Sequence, residues 1–226
     1  MKPLYRLAYL VLPLLTACAG APVPSWQSNA VGSLETYQQR WLEGDSRAAE
    51  ASFARAQAEL GRTGRLDLAA RAELIRCAAR TASLDFSPCT GYEAFAAGVA
   101  EAAYARLLGL DWRDDDARAL PEHYAAFVRA KDNGERNRAA RAIADPFARL
   151  LASALLLKRG EIMPETIGMA SLTASEQGWR RPLLAWLHIQ AKRAEAAGDN
   201  AALATLRKQI EFASRAPATK PPAGVE

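Results

Sequence analysis

The sequence predicts an all-α fold, arranged either as an irregular helical bundle or as stacked helical hairpins. Between residues 28 and 214 the chain is rich in Ala, Leu, Arg and Glu, which favour helices, and it contains no convincing run of alternating β-branched and polar residues. Apolar residues recur instead at the spacing of one helical face, which must be buried against a neighbour. These stripes are Ala49, Phe53, Ala56 and Leu60; Ala70, Leu74, Cys77 and Thr81; Phe95, Val99, Ala103 and Leu107; and Leu203, Leu206, Ile210 and Ala213.

Turn residues divide this region into segments of helix length. Gly44–Asp45, Gly160, Gly178 and Gly198–Asp199 are examples, since Gly commonly ends a helix and Asp commonly begins one. Asp145–Pro146 falls inside an otherwise continuous helical pattern. Because Asp caps helices and Pro fits their first position, we expect the helix to break or kink there.

Composition and charge exclude several classes of protein. Of the 226 residues, 50% are hydrophobic and 24% are charged, which excludes a disordered chain, a collagenous chain and a polytopic membrane protein. The 29 Lys and Arg residues against 25 Asp and Glu residues give a formal charge of only +4. We therefore expect no nucleic-acid partner.

The first segment is the one part of the sequence that is apolar enough to engage a bilayer. Lys2 and Arg6 precede an apolar run over residues 7–17. This run is shorter than the roughly 20 residues that a spanning helix needs. A basic flank followed by a short apolar core predicts a secretory signal peptide.

The tetrapeptide Leu15–Thr16–Ala17–Cys18 resembles the lipobox of bacterial lipoproteins. The resemblance implies cleavage before Cys18, a diacylglyceryl thioether on its sulfur and an acylated amine, for example by palmitate. Ala19 stands where an inner-membrane retention Asp would stand, which implies a location on the periplasmic face of the outer membrane. The alternative is an ordinary signal peptide that contains a buried Cys.

These features give the predicted domain organisation. Residues 1–17 form the signal peptide, 18–27 a lipidated flexible tether, 28–214 the all-helical domain and 215–226 a disordered tail. Both flanking segments are rich in small residues and Pro, which suits an extended tether.

The segment from Gly44–Asp45 through Ala49, Phe53 and Ala56 resembles the second half of a tetratricopeptide repeat. A second match begins at Gly198–Asp199 but departs from the pattern in its helix. The first helix of the unit also lacks the expected Leu-Gly pair. The resemblance implies stacked hairpins, and an irregular bundle remains the alternative.

Cys77 and Cys89 are the two cysteines that remain if Cys18 carries lipid. In an oxidising periplasm we expect them to form a disulfide. The other possibility is a redox pair, but catalytic dithiols usually occupy a Cys-X-X-Cys motif at a helix start. Their separation of 12 positions therefore favours a structural bond.

No catalytic, cofactor or metal site is predicted. His123 and His188 have no local Ser or Asp pattern, and three Cys with two His leave little room for a zinc site. The acidic run 114–116 lacks the Gly and Glu of a calcium loop, so we interpret it as the negatively charged start of a helix. We nominate no residue for catalysis.

Trp179, Arg180, Arg181 and Trp186 are the candidate binding residues, because Trp and Arg dominate interface hot spots. The alternative places Trp186 in the core and Trp179 as a hydrophobic staple. A second candidate is the basic segment 137–159, whose cations either form a solvated face or meet anionic lipid headgroups or a partner. Its cations are Arg138, Arg141, Arg149, Lys158 and Arg159.

The sequence thus predicts a non-enzymatic lipoprotein that contacts the membrane through its anchor and acts as a helical scaffold for a protein partner in the cell envelope. One alternative is a peptidoglycan-active enzyme, or an activator of one. The other is a purely structural accessory.

Overall fold

The computed structural model describes residues 23–95 and 98–215, and it confirms the predicted all-α fold. The described residues form ten α-helices and three short 3-10 turns. The helices are α1 (Ser25–Glu43), α2 (Ser46–Gly61), α3 (Leu66–Ala82), α4 (Val99–Gly109), α5 (Ala125–Arg129), α6 (Asn133–Ala142), α7 (Pro146–Lys158), α8 (Pro164–Glu176), α9 (Arg180–Ala196) and α10 (Asn200–Arg215).

Helix α7 is the centre of the fold. Eight of its 13 residues are buried, from Ala148 to Leu156. Helices α3, α6 and α8 pack around it, and α9 packs on both α8 and α1. The main apolar core extends from α7 to α3, α4, α5 and α9, while a smaller core joins α1, α2 and α3 around Tyr37 and Phe53. The body therefore combines sequential hairpins with contacts between distant helices.

The Gly-Asp turns predicted between helices have the expected geometry. Gly44 has φ +94°, and the side chain of Asp45 accepts a hydrogen bond from Ala48 N. Gly198 has φ +71°, and Asp199 accepts a hydrogen bond from Ala202 N. Each glycine supplies a left-handed conformation that is costly for other residues, and each Asp caps the next helix.

The predicted break at Asp145–Pro146 is present. Helix α6 ends at Ala142, the Asp145 side chain accepts a hydrogen bond from Ala148 N at 2.6 Å, and Pro146 is the first residue of α7. Arg149 then donates to the carbonyl oxygens of Ile143 and Ala144, which lie between the two helices. The Asp145 cap and the Arg149 side chain thus provide hydrogen-bond partners for the backbone groups at this break.

Several predicted boundaries differ from the structure. Helix α1 starts at Ser25, within the predicted tether, and α10 ends at Arg215. The stripe through Phe95 and Val99 was wrong in its first half: Phe95 precedes α4, and the side chain of Val99 is 79% exposed. A 3-10 turn occupies residues 92–94, and α4 begins at Val99, later than the stripe predicted. The predicted signal peptide, Cys18 and residues 216–226 lie outside the described residues.

Asn137 of α6 is fully buried and joins its helix to two later segments of the chain. Its Nδ2 donates to the Asn133 carbonyl and to Glu161 O, both at 2.9 Å. Its Oδ1 accepts from Met163 N at 2.9 Å and from Thr166 Oγ1 at 2.8 Å. One amide therefore fixes α6 to the α7–α8 turn and to the start of α8.

The predicted disulfide between Cys77 and Cys89 is present, with a Cα–Cα distance of 5.7 Å. It connects α3 to the segment that follows it. Replacing both cysteines, as Cys77→Ser with Cys89→Ser, should lower the free energy of unfolding by roughly 3 kcal/mol, because the bond closes a loop of this length in the unfolded chain. Denaturant unfolding measures the loss, and the reduced wild-type chain should match the variant. An unchanged midpoint for both would contradict the prediction.

Two buried carboxylates are held in their charged form by arginines. Arg106 donates from Nε to Asp116 at 3.0 Å, and Arg71 donates from Nε to Glu101 at 2.9 Å. These hydrogen bonds hold the pKa of each carboxyl below its usual range, despite an opposing effect of burial. Asp116 also accepts from Arg113 N, which starts a 3-10 turn at the predicted acidic run.

We therefore expect the thermal midpoint to fall as the pH drops below about 4. A lowered pKa in the folded state means that the unfolded chain binds more protons, so the stability is present above the unfolded pKa and is lost through the folded pKa. Asp116→Asn should lower the midpoint at pH 7 and flatten its decline in acid, whereas the exposed control Asp115→Asn should do neither. Identical pH profiles for Asp116→Asn and the wild type would refute this explanation.

Candidate functional site

The predicted binding residues lie at the start of α9, against the α1–α2 turn. Both tryptophans are buried: Trp186 has no exposed surface, and Trp179 is 7% exposed. Trp186 belongs to the main core. The two indoles therefore contribute packing, as the alternative interpretation proposed.

Arg181 holds α9 to the end of α1. Its Nε donates to Trp41 O and its Nη2 donates to Ser46 Oγ, both at 2.6 Å. The guanidinium also lies 4.0 Å from the centre of the Trp41 ring. Because the C-terminus of a helix carries partial negative charge, a cation at this carbonyl stabilises it. Burial lowers the pKa of the Arg181 guanidinium from its usual value. Arg181 is thus a structural residue.

Arg180 lies beside the same turn but also borders a groove. A Cβ atom added at Gly44 would come within 2.9 Å of Arg180 Nη2, so the glycine leaves room for the arginine. The Arg180 side chain lines the groove, as does Glu43 of α1. Neighbouring arginines therefore have different roles, and Arg180 is the predicted binding residue that reaches a candidate site.

The groove lies between α8, α9 and α10 and has a volume of about 790 Å³. Leu183 and Leu187 of α9 line it, together with Leu172 of α8 and Phe212 of α10. Leu172 is 52% exposed and Phe212 is 82% exposed. Large apolar side chains grouped at one concave surface are typical of binding sites rather than of ordinary solvent-facing surface.

Hydroxyl and amide groups surround this apolar centre. Ser171 and Ser175 of α8, Gln190 of α9 and Gln209 of α10 border the groove. Its described lining contains one carboxylate, Glu43. Apolar side chains with neutral hydrogen-bonding groups around them are the ordinary composition of a protein interface. The described residues contain no group of three or more His, Cys, Asp or Glu side chains placed to bind a metal.

The sequence patterns did not reveal Leu172 or Phe212. We assigned the apolar face of α10 to the stripe from Leu203 to Ala213, and Phe212 lies outside that stripe. The one signal for Phe212 in the sequence was that a large apolar residue lies off the face predicted to be buried. Its neighbour across the groove was not visible in the sequence, because α8 and α10 are brought together by their packing on α9.

The basic segment 137–159 is not simply a solvated face. Arg141 donates to Thr166 Oγ1 at 3.0 Å, and Arg149 donates to Thr173 Oγ1 at 3.1 Å. Both threonines are buried residues of α8. These two arginines therefore join α6 and α7 to α8, whereas Arg138 is exposed.

Glu73 is a buried carboxylic acid, the kind of group that an envelope hydrolase would need as a general acid. Burial raises its pKa above the usual value. It accepts a hydrogen bond from Gln57 Nε2 at 3.0 Å, and Gly91 lies so close that an added Cβ would come within 2.5 Å of its Oε2. The carboxyl is therefore packed beneath the backbone and links α3 to α2. His123 and His188, the two histidines of the sequence, are both exposed.

The chain matches no protein-family model, no curated protein and no solved structure at a significant level. Within the described ranges, no helix combines the length and the apolar character needed to cross a bilayer. The groove geometry and the sequence motifs are thus the observations that bear on function.

Proposed function

We propose that this chain is a non-enzymatic lipoprotein, anchored through Cys18 to the periplasmic face of the outer membrane, whose helical body binds a protein partner in the envelope. The observation that carries the proposal is the apolar groove between α8, α9 and α10. The lipobox supports the anchor, and the groove supports the interaction.

Covering the groove with a protein partner would lower the free energy. Burying a Phe or Leu side chain that is exposed contributes roughly 1.5–3 kcal/mol, and Phe212 and Leu172 retain much of that exposure in the isolated chain. The serines and glutamines at its edge provide hydrogen bonds that keep such a contact specific. Glu43 and Arg180 add one charge of each sign.

The proposed anchor would keep this body beside the membrane. Six residues, 19–24, separate Cys18, the proposed lipidated position, from Ser25, the first residue of α1. Even a fully extended chain of that length reaches only about 25 Å. Partners of the groove are therefore expected among proteins at the same membrane surface.

Mass spectrometry of the native protein tests the anchor. We expect an amino-terminal Cys18 that carries a diacylglyceryl group and an acyl chain, and a Cys18→Ser variant that no longer fractionates with the membrane. The Cys77→Ser variant is the matched control, since it removes a cysteine that forms the disulfide and should keep the anchor. An intact leader or an unmodified sulfur would overturn the proposed location.

Site-specific photocrosslinking tests the groove in cells. A photoreactive Phe analogue at position 212 should form adducts with protein, as should one at position 172. The same analogue at Ala54, an exposed residue of α2, is the control and should form few. Protein adducts that are absent at 212 and 172, or equally abundant at all three positions, would overturn the groove as the interaction site.

A further inference from the structure

Several helix ends lie together at one end of the helical body. Helices α1 and α2 form a hairpin around Gly44 and run in opposite directions. Ser28, near the start of α1, therefore borders the same surface pocket as Glu59, near the end of α2. The short connection 62–65 then leads directly into α3. The start of α1, the end of α2 and the start of α3 thus share one end of the body.

The start of α4 belongs to the same end. Arg71, near the start of α3, donates from Nε to Glu101, near the start of α4, at 2.9 Å. Further along the two helices, Thr81 of α3 and Leu108 of α4 border one cavity. Helices α3 and α4 therefore run parallel and begin side by side. We call this part of the body the tether end, and it comprises residues 23–34, 55–73 and 98–102.

The tether end exposes three large apolar side chains. Val23 is 63% exposed, Leu66 is 53% exposed, and Val99 is also largely exposed. Residues 18–34, which run from the proposed lipidation site into the first half of α1, contain no charged side chain. Because no charge of this segment has to leave water, contact with lipid carries little desolvation cost here.

The charged groups of the tether end are arranged with their cations outward. Its four arginines are exposed, whereas its four carboxylates are buried or partly buried. In two of the ion pairs, the side chain of Arg62 is 71% exposed against 17% for Glu59, and that of Arg71 is 60% exposed against 8% for Glu101. Such a surface is complementary to phospholipid phosphate groups, although its charges are equal in number. The arginines are Arg55, Arg62, Arg65 and Arg71, and the carboxylates are Glu59, Asp67, Glu73 and Glu101.

We propose that the tether end lies against the headgroup layer of the membrane, with Val23, Leu66 and Val99 in contact with lipid and the arginines in contact with anionic phosphate groups. The inference rests on the proposed function in taking Cys18 as the anchor, and it adds which face of the body meets the bilayer. Six residues, 19–24, join Cys18 to α1, so this end is the one held at the surface. A short tether gives a high effective concentration of lipid there, so individually weak contacts suffice.

This orientation is compatible with a protein partner in the groove. Glu43, which borders the groove, is the last residue of α1 and lies at the opposite end of that helix from the tether. A helix of 19 residues is about 28 Å long. The tether end can therefore contact lipid while the groove stays accessible to protein.

Photocrosslinking of the acylated full chain in vesicles tests the docking surface. Leu66 and Leu172 are matched probes, because both are leucines that are about half exposed, one at the tether end and one in the groove. In vesicles of phosphatidylglycerol and phosphatidylethanolamine, a photoreactive analogue at position 66 should form lipid adducts at least about ten times more often than one at position 172. Position 99 should behave as position 66 does. Equal yields of lipid adducts at 66 and 172 would overturn the proposal.

Charge reversal tests the contribution of the arginines. Arg62→Glu with Arg65→Glu should lower the lipid adducts at position 66 by roughly tenfold or more, because each cation near an anionic surface strengthens binding. Wild-type chains in vesicles of phosphatidylcholine alone, which carry no net charge, should show a similar decrease.

Arg40→Glu with Arg47→Glu is the matched control for this charge reversal. It makes the same change of charge at the other end of the α1–α2 hairpin and should leave the adducts at position 66 unchanged. Both double variants should keep the thermal midpoint of the wild type to within a few degrees, since exposed ion pairs contribute little to stability. Equal adduct yields for the two double variants would contradict a contact between the arginines and phosphate.

The failures of the two proposals are distinguishable, because mass spectrometry of the same samples reports the state of Cys18. An acylated chain with equal lipid adducts at 66 and 172 overturns the docking surface and leaves the anchor in place. An unmodified Cys18 overturns both. Protein adducts from position 172 in cells test the groove independently of either result.

Discussion

Trp186→Ala is expected to lower the free energy of unfolding by about 3–5 kcal/mol, the range typical of removing a buried aromatic side chain. Trp186 has no exposed surface and is the largest fully buried side chain of the described chain. It lies on α9 in the main core, and its loss leaves a cavity between packed helices. Denaturant unfolding, followed by circular dichroism, measures the change.

Trp186→Phe separates packing from hydrogen bonding at this position. The buried indole Nε1 has no hydrogen-bond partner among the described residues, so the phenyl ring loses volume but no hydrogen bond. We expect Trp186→Phe to lower the free energy of unfolding by less than half as much as Trp186→Ala does. Equal losses for Ala and Phe would show that a polar contact of the indole, rather than its volume, stabilises the core.

Asn137→Ala is expected to have an effect of similar size, about 3–5 kcal/mol. The substitution removes a hydrogen-bond partner from Glu161 O and Met163 N, which are partly buried, and from the buried Thr166 Oγ1, which keeps its hydrogen bond from Arg141. A buried polar group that loses its partner costs roughly 1–3 kcal/mol. Hydrogen exchange should also increase first at the start of α8, where Met163 N loses its acceptor.

The adjacent residue provides the control. Arg138→Ala changes an exposed side chain in the same helix and should alter stability by less than about 0.5 kcal/mol. Comparable losses at 137 and 138 would indicate that the substitutions act through helix propensity, and they would contradict a specific role for the buried amide.

The features that the sequence predicted correctly depend on neighbouring residues. Asp145 and Pro146 specify a helix start by themselves, and Gly44 with Asp45 specifies a turn. The disulfide was predictable because Cys77 and Cys89 are the two cysteines that remain if Cys18 carries lipid. The stripe through Ala103 and Leu107 is buried as predicted, but its first half, Phe95 and Val99, failed because suitably spaced apolar residues also occur by chance before a helix starts.

The candidate site was only partly predictable, because its residues meet through tertiary packing. Arg180 and Arg181 were identified as a pair, yet Arg181 bonds to Trp41, which is 140 positions away in the sequence. No local pattern specifies that contact. The groove likewise requires α8 and α10 to flank α9 in space, so Phe212 acquires its significance only in the folded chain.

The bond between Arg181 and the end of α1 has a consequence for the order in which the chain folds. The contact joins the first helix to the ninth, so it has high contact order and contributes only after a very long loop has closed. Helices α1 and α2 therefore present an incomplete surface until α9 packs against them. Chains truncated before α9 are the ones expected to aggregate and to need a chaperone.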